Sequence, residues 1–325
     1  MPPSPILIIR SLPLLLCGLL LAGRAPAAEP GVTFRSEAGQ VRIEVAGKPF
    51  VRYVYRDAQI PRPHFCDLKE PGGVQVTRNH PPVEGQDPTD HGTFHPGLWL
   101  AFGDLGGADF WRNQAQVEHV KFLETPRATT APLGGRFSVL NRYVKQTGET
   151  CATETSRVTV VPRGASTLLL LDSEFTPEGG ELAFGDQEEM GLGVRMATPL
   201  IVTKGGRIRN RDGGENEKAV RGTNAAWCDY SGQIDGRRVG VCLMPDPANF
   251  RPSWYHARDY GLLVANPFGR QALTGGEKSR VVVKPGERLR LRYGVLIHGA
   301  KENAGTDLAA AYEDFLRLLR GVPGK

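Results

Sequence analysis

The segment RLRLRYGVLI, residues 288–297, decides the fold. Leu289, Leu291, Tyr293 and Val295 alternate with Arg288, Arg290 and Arg292, the period of two that a half-buried antiparallel strand requires. SRVVVKPGE, residues 279–287, leads into it, and Pro285-Gly286 predicts a hairpin turn between two strands. Similar short runs recur at 41–45, 51–55, 136–144, 156–161, 166–175, 192–197, 206–209 and 238–244. Turn signals separate them, among them Ala46-Gly47, Pro162-Arg163-Gly164, Glu178-Gly179-Gly180 and Asp235-Gly236. The 40 glycines and 25 prolines of the 325 residues are spread along the chain, as many short elements joined by turns demand. The expected fold class is all-β, a large antiparallel β-sandwich. One helix is expected at the end of the chain. There Thr306 can cap DLAAAYEDFLRLL, whose Leu308, Ala311, Tyr312, Phe315, Leu318 and Leu319 form an apolar stripe that should pack on a sheet face.

Residues 1–28 have the layout of a signal peptide: Arg10, a Leu-rich stretch from Leu12 to Leu21, and small residues suited to cleavage near Ala28. The remainder, 29–325, shows no linker, repeat or low-complexity tract and reads as one β-sandwich domain in the periplasm or outside the cell. Nothing after the leader is apolar enough to span a bilayer, so no membrane partner is expected after cleavage. The net charge of +5 falls to +3 when Arg10 and Arg24 leave with the signal. With no Lys/Arg block, a nucleic-acid partner is excluded. Cys66, Cys151, Cys228 and Cys242 show no CxxC spacing, which excludes a simple zinc ribbon and leaves their disulfide state open.

Four stretches gather more polar and aromatic residues than a sandwich needs. TDHGTFHPGLWLAFGD, 89–104, carries His91 and His95 ahead of an apolar run holding Trp99, and Trp111 follows shortly after. Gly92 and Pro96-Gly97 oppose a helix, and on a strand the two imidazoles would stand about 13 Å apart, so only a folded loop can pair them. FGDQEEMGLGVR puts Glu188 and Glu189 before a strand ending at Arg195. WCDYSG holds Trp227, Asp229 and Tyr230, and NFRPSWYHARDYGLLVANPFG, 249–269, holds Tyr255, His256, Arg258 and Asn266. His256 and Arg258, two apart on an extended chain, would face the same side about 7 Å apart, a spacing that suits one polar substrate. His64, His80 and His119 have no companion motif and are expected to face solvent, whereas His298 could complete a site at the end of its strand.

These residue types suit proton transfer: imidazole titrates near neutrality, a carboxylate can act as the complementary base, and Arg holds an anion. The expected roles are catalytic for His95, His256, Glu189 and Arg258, and substrate-binding for His91, Trp111, Arg195, Asn266 and Tyr255. No cofactor is required, although His91, His95 and His256 with a carboxylate would make a zinc or calcium site if they converged. No HExxH or GxSxG occurs.

DHGTFHPGLWLAFGDLGGADFW, EMGLGVRMATPL, WCDYSG and SWYHARDYGLLVANPFG resemble the signature blocks of an exported bacterial family, PmoA-like or DUF6807, from about Phe50 to His298. His91, His95, Trp99, Asp104, Trp111, Arg195, His256, Arg258 and Asn266 match that pattern. Where the family usually has His-His-Arg before Gly-Leu-Trp, this chain reads Phe94-His95-Pro96. The family label points to a methane oxygenase subunit, a protein of several transmembrane helices, and that role is discounted here. By analogy of fold the resemblance implies the supersandwich of galactose mutarotases and some polysaccharide lyases. The expected function is an exported carbohydrate-active enzyme, a lyase, hydrolase or epimerase, with a non-catalytic glycan-binding domain as the alternative.

Overall fold

The computed structural model describes residues 1–4, 31–130, 132–301 and 305–321, and the expected signal peptide falls almost wholly outside them. Two eight-stranded antiparallel sheets face each other. The first runs, edge to edge, β1 (Val32–Glu37), β2 (Gln40–Val45), β3 (Lys48–Val54), β4 (His64–Cys66), β5 (Leu98–Phe102), β11 (Met190–Arg195), β16 (Leu262–Asn266) and β15 (Trp254–Arg258). The second runs β12 (Arg207–Asn210), β13 (Cys228–Ile234), β14 (Arg237–Pro245), β18 (Leu289–Lys301), β9 (Ser166–Pro177), β8 (Thr150–Arg163), β7 (Leu133–Val144) and β6 (Gln116–Thr130). Each sheet draws strands from both halves of the chain. The main core lies between them, where Tyr53, Phe102, Phe137, Tyr143 and Phe175 are buried. Phe102 meets Phe175 edge to face at 5.3 Å.

The opening strand behaves as read up to Tyr293, with Arg290 and Arg292 half-exposed on the far face. From Gly294 to Gly299 both faces are buried, because α3 (Leu308–Gly321) lies across the outside of the second sheet. Phe315 fills the space over Gly294, where a Cβ would come within 2.8 Å of its ring, and packs with Leu168, Leu170, Met244 and Leu296. The helix start differs from the expectation. Asp307 is the cap, its Oδ1 accepting from Ala310 N at 2.9 Å, while the Thr306 hydroxyl pairs with His298 Nδ1. Two five-residue helices, α1 (Asn216–Val220) and α2 (Arg270–Thr274), were not anticipated.

Pro285-Gly286 does form a turn, closed by Glu287 N to Lys284 O, but not the expected hairpin. The strand before it, β17 (Val281–Val283), pairs with β10 (Leu182–Phe184) in a separate two-stranded sheet. All four cysteines of the described residues are buried free thiols. No helix among the described residues is long and apolar enough to cross a membrane.

Candidate functional site

Alternation within the first sheet builds the site. On β5, Leu98 and Phe102 enter the main core, whereas Trp99 and Ala101 point to the outer face and join Trp111, Leu262 and Val264. The register Trp99↔Gly193↔Val264↔His256 then forms one row across four strands, about 14 Å from end to end at about 4.8 Å per strand. A neighbouring row runs Arg195↔Leu262↔Arg258. Gly193 is required under the indoles, since a Cβ there would sit 2.9 Å from Trp99 and 3.0 Å from Trp111. Gly193→Ala is therefore expected to cost about 1–3 kcal/mol by overpacking, read as a lower midpoint in denaturant unfolding.

At one end of the face is the loop before β5. His95 N donates to His91 O at 3.0 Å, so a single turn folds the loop and stacks the two imidazoles, ring centres 4.8 Å apart. His95 lies in turn over Trp99 at 5.1 Å. Two arginines that sequence reading missed hold this loop. Arg78, 1% exposed, donates to the carbonyls of Pro88, Asp90, His91 and His95, and Arg62 reaches those of Phe94 and Trp111. Arg195 donates through Nη2 to both carboxylate oxygens of Asp90, at 2.9 and 3.1 Å, and Nη1 approaches His95 Nδ1 at 3.4 Å. Burial, then the Arg195, His91 and Arg78 charges, push the His95 pKa far below the usual imidazole value. With Nδ1 facing a guanidinium, the neutral ring carries its proton on Nε2. His95 is thus suited to donate a hydrogen bond, not to carry protons as the sequence suggested.

At the other end, His256 is 2% exposed on β15. Its Nδ1–H donates to the backbone oxygen of Glu188 at 3.1 Å, which fixes the tautomer and leaves a lone pair on Nε2. That Nε2 is buried without a hydrogen-bond partner and stands 3.7 Å from the Glu188 carboxylate. Burial lowers the His256 pKa against the opposing pull of Glu188. Glu188 itself is shifted down: burial works against this, but the Arg221 hydrogen bond at 2.7 Å and the neighbouring cations prevail. Glu189 is shifted up, chiefly by burial, although Arg112 pairs with it. The carboxylate that faces His256 is therefore Glu188, while Glu189 is the one biased toward holding a proton.

The remaining candidates divide. Arg258 pairs with Glu217 at 3.1 Å, and both Arg258 and Arg195 lie over the Tyr260 ring, at 5.4 and 4.6 Å. Asn266 faces the site, but its amide is committed to structure. Nδ2 donates to the Gln187 and Glu188 carbonyls, and Oδ1 accepts from Phe268 and Gly269 N, so it positions the Glu188 loop rather than substrate. Tyr255 is a correction: one residue from His256 on a strand, it points to the opposite side, is fully buried in the main core and donates to backbone carbonyls there. Trp111, like Trp99, is 1% exposed and forms the floor, not a substrate platform. The half-buried aromatics on this face are Trp254 and Tyr260. His91, His95 and His256 do not converge as a metal site among the described residues. His298 lies on the second sheet, bonded to Asp229 at 2.8 Å, and does not join the site.

His95 and His256 are buried with folded pKa values below the ordinary ~6.5, so the unfolded chain binds more protons as pH falls. Stability is complete above pH ~6.5 and declines below it, by up to about 1.4 kcal/mol per pH unit for each ring. Denaturant unfolding at pH 7.5 and 5.5 is expected to show a loss of at least about 2 kcal/mol at the lower pH, since buried His64 adds a loss of the same sign. A flat dependence would contradict the neutral assignment.

Fold and site together define a class: a two-sheet antiparallel β-sandwich carrying paired His, Glu and Arg groups on the outer face of one sheet. The chain belongs to the family described as a family of unknown function, DUF6807, whose model matches residues 40–313. No curated protein matches it. Among solved structures, a putative kojibiose phosphorylase from the human microbiome aligns at 6% identity and TM-score 0.30, over 58% of this chain and 21% of that one. The Slr1438 protein from Synechocystis sp. PCC 6803 aligns at 11% identity and TM-score 0.33, over 84% of this chain and 97% of that one. HI1317 aligns at 9% identity and TM-score 0.22, over 84% and 100%.

Proposed function

We propose that this chain is an exported carbohydrate-active enzyme that moves protons on a sugar or oligosaccharide bound to the outer face of the first sheet. The observation that carries this reading is the buried, unpartnered Nε2 of His256, 3.7 Å from the Glu188 carboxylate. In this reading Nε2 takes a proton from the substrate, and Glu188 stabilises the imidazolium that forms. Glu189, with its pKa raised, supplies the proton to a leaving or re-protonated oxygen. Arg258, partly exposed, holds charge that develops on the substrate, while Arg195, buried against Asp90, fixes the loop from which His91 and His95 Nε2–H offer hydrogen bonds to its hydroxyls.

Support for a sugar comes from the mixture of donors and acceptors on one face, of which His91, Glu188 and Arg258 are partly exposed, with half-buried Trp254 and Tyr260 available to its apolar side. Lyase, hydrolase and epimerase chemistry all use such an acid/base pair. The alternative, a non-catalytic glycan-binding domain, draws on the same two aromatic rings. Incubation with plant and algal glycans, with products resolved by mass and by anomeric NMR, separates the two. Turnover that falls in Glu188→Gln and Glu189→Gln is expected; saturable binding with no product in any protein would favour the binding domain.

A further inference from the structure

Two of the histidines expected to face solvent, His64 and His80, belong with Asp57 to the one cluster among the described residues whose ligand atoms converge, all within 4.8 Å of one another. His64 is 1% exposed, on β4. Its Nδ1–H donates to the Arg62 carbonyl at 3.1 Å, the outer hydrogen bond that metal-binding histidines characteristically make, and this leaves the lone pair on Nε2. That Nε2 is buried and has no partner, and neither does His80 Nδ1, although the two rings are only 5.2 Å apart. A buried and a half-buried imidazole side by side, each with a buried and unsatisfied nitrogen, are costly unless something occupies the space between them. Asp57 is held at one oxygen by the amides of Gln59 and Ile60, at 2.7 and 3.0 Å, with the carboxylate left to face the pair.

We infer that Asp57, His64 and His80 form a binding site for a divalent transition-metal ion of the zinc type. Two imidazoles and one carboxylate are a borderline-soft donor set that suits zinc better than calcium or magnesium. Ligands around zinc at about 2.0–2.1 Å stand about 3.4 Å apart in a tetrahedron, so binding draws together atoms that now lie within 4.8 Å of one another. Asp57 and His80 line a surface pocket together with Gly39, Arg52 and Cys66, from which an ion can enter. Arg52 on its wall is already paired with Asp67 at 2.6 Å and does not compete for Asp57. Three protein ligands and an open position leave room for a bound water or a substrate oxygen.

The test is calorimetric titration of chelator-treated protein with zinc chloride, with metal content after dialysis as a second reading. One equivalent per chain is expected. Changes to outer partners alone weaken such sites roughly 10–100-fold, so His80→Ala and Asp57→Asn, both outside the core, should each weaken binding by at least that much. His91→Ala should bind as the wild type does. Absence of saturable uptake in the wild type, or uptake undiminished in both ligand variants, would overturn the site.

Discussion

If the proposed sugar chemistry holds, His256→Ala is expected to lower kcat by roughly 100- to 10,000-fold, the range over which a positioned acid or base contributes. The loss follows from the atom removed. Nε2 is the one imidazole nitrogen of this face with a fixed tautomer, a free lone pair and a carboxylate 3.7 Å away. The fold should survive, because the main core lies on the other side of β15, under Tyr255 and Ala257. Circular dichroism and an unfolding midpoint near that of the wild type would separate lost chemistry from lost structure. Arg258→Ala, by contrast, should raise KM more than it lowers kcat, since Arg258 is half-exposed and its charge is shared with Glu217.

The second large effect is on stability. Asp90→Asn is expected to destabilise the protein by about 2–3 kcal/mol, toward the lower end of what breaking a buried ion pair costs because Asp90 is itself 40% exposed. The Arg195 side chain is 1% exposed and Arg78 equally so, and Asp90 is the carboxylate that pairs with both, at 2.9 and 3.6 Å. Removing its charge leaves two buried guanidiniums near each other, one of them already shifted down to about 10 by burial and by its neighbour. For a chain of this length the melting temperature should fall by about 4–10 °C. A fall under about 1 °C would mean that the carbonyls and the Tyr260 ring suffice to hold the two cations.

The sandwich was legible wherever a strand has one wet face. Residues 288–293 alternate cleanly because only the inner side of β18 is covered there, and the apolar stripe of α3 announced the helix that buries the rest. The longest strand, β6, was missed. It lies at a sheet edge, its register shifts at three places, and charged residues stand on both sides, so no period of two survives. The hairpin at Pro285-Gly286 misled because a turn fixes a reversal of the chain but not the partner of the strand it releases.

The site was legible in kind more than in detail. His256, Arg258, Arg195 and His95 all reach one face because β5, β11, β16 and β15 are neighbours, and the block spacing carried that information. The exchange of roles between Glu188 and Glu189 could not be read, since adjacent residues point apart and only the fold decides which one meets His256. Arg78 and Asp90 gave no signal, because their partners are backbone carbonyls and a residue 105 positions away. Nor did Asp57, His64 and His80, whose ligand spacing is made by two loops and a three-residue strand.

The pH dependence of kcat/KM on any glycan found to be turned over in the screen, measured for the wild type and for Glu188→Gln, tests the proposed acid/base site most directly. The wild type should lose activity on the acid side with a midpoint below ~6.5, because burial lowers the His256 pKa. Glu188 opposes that shift, so its replacement by glutamine should move the midpoint lower still. An acid limb that stays in place in Glu188→Gln, or a rate independent of pH through this range, would show that His256 is not the base.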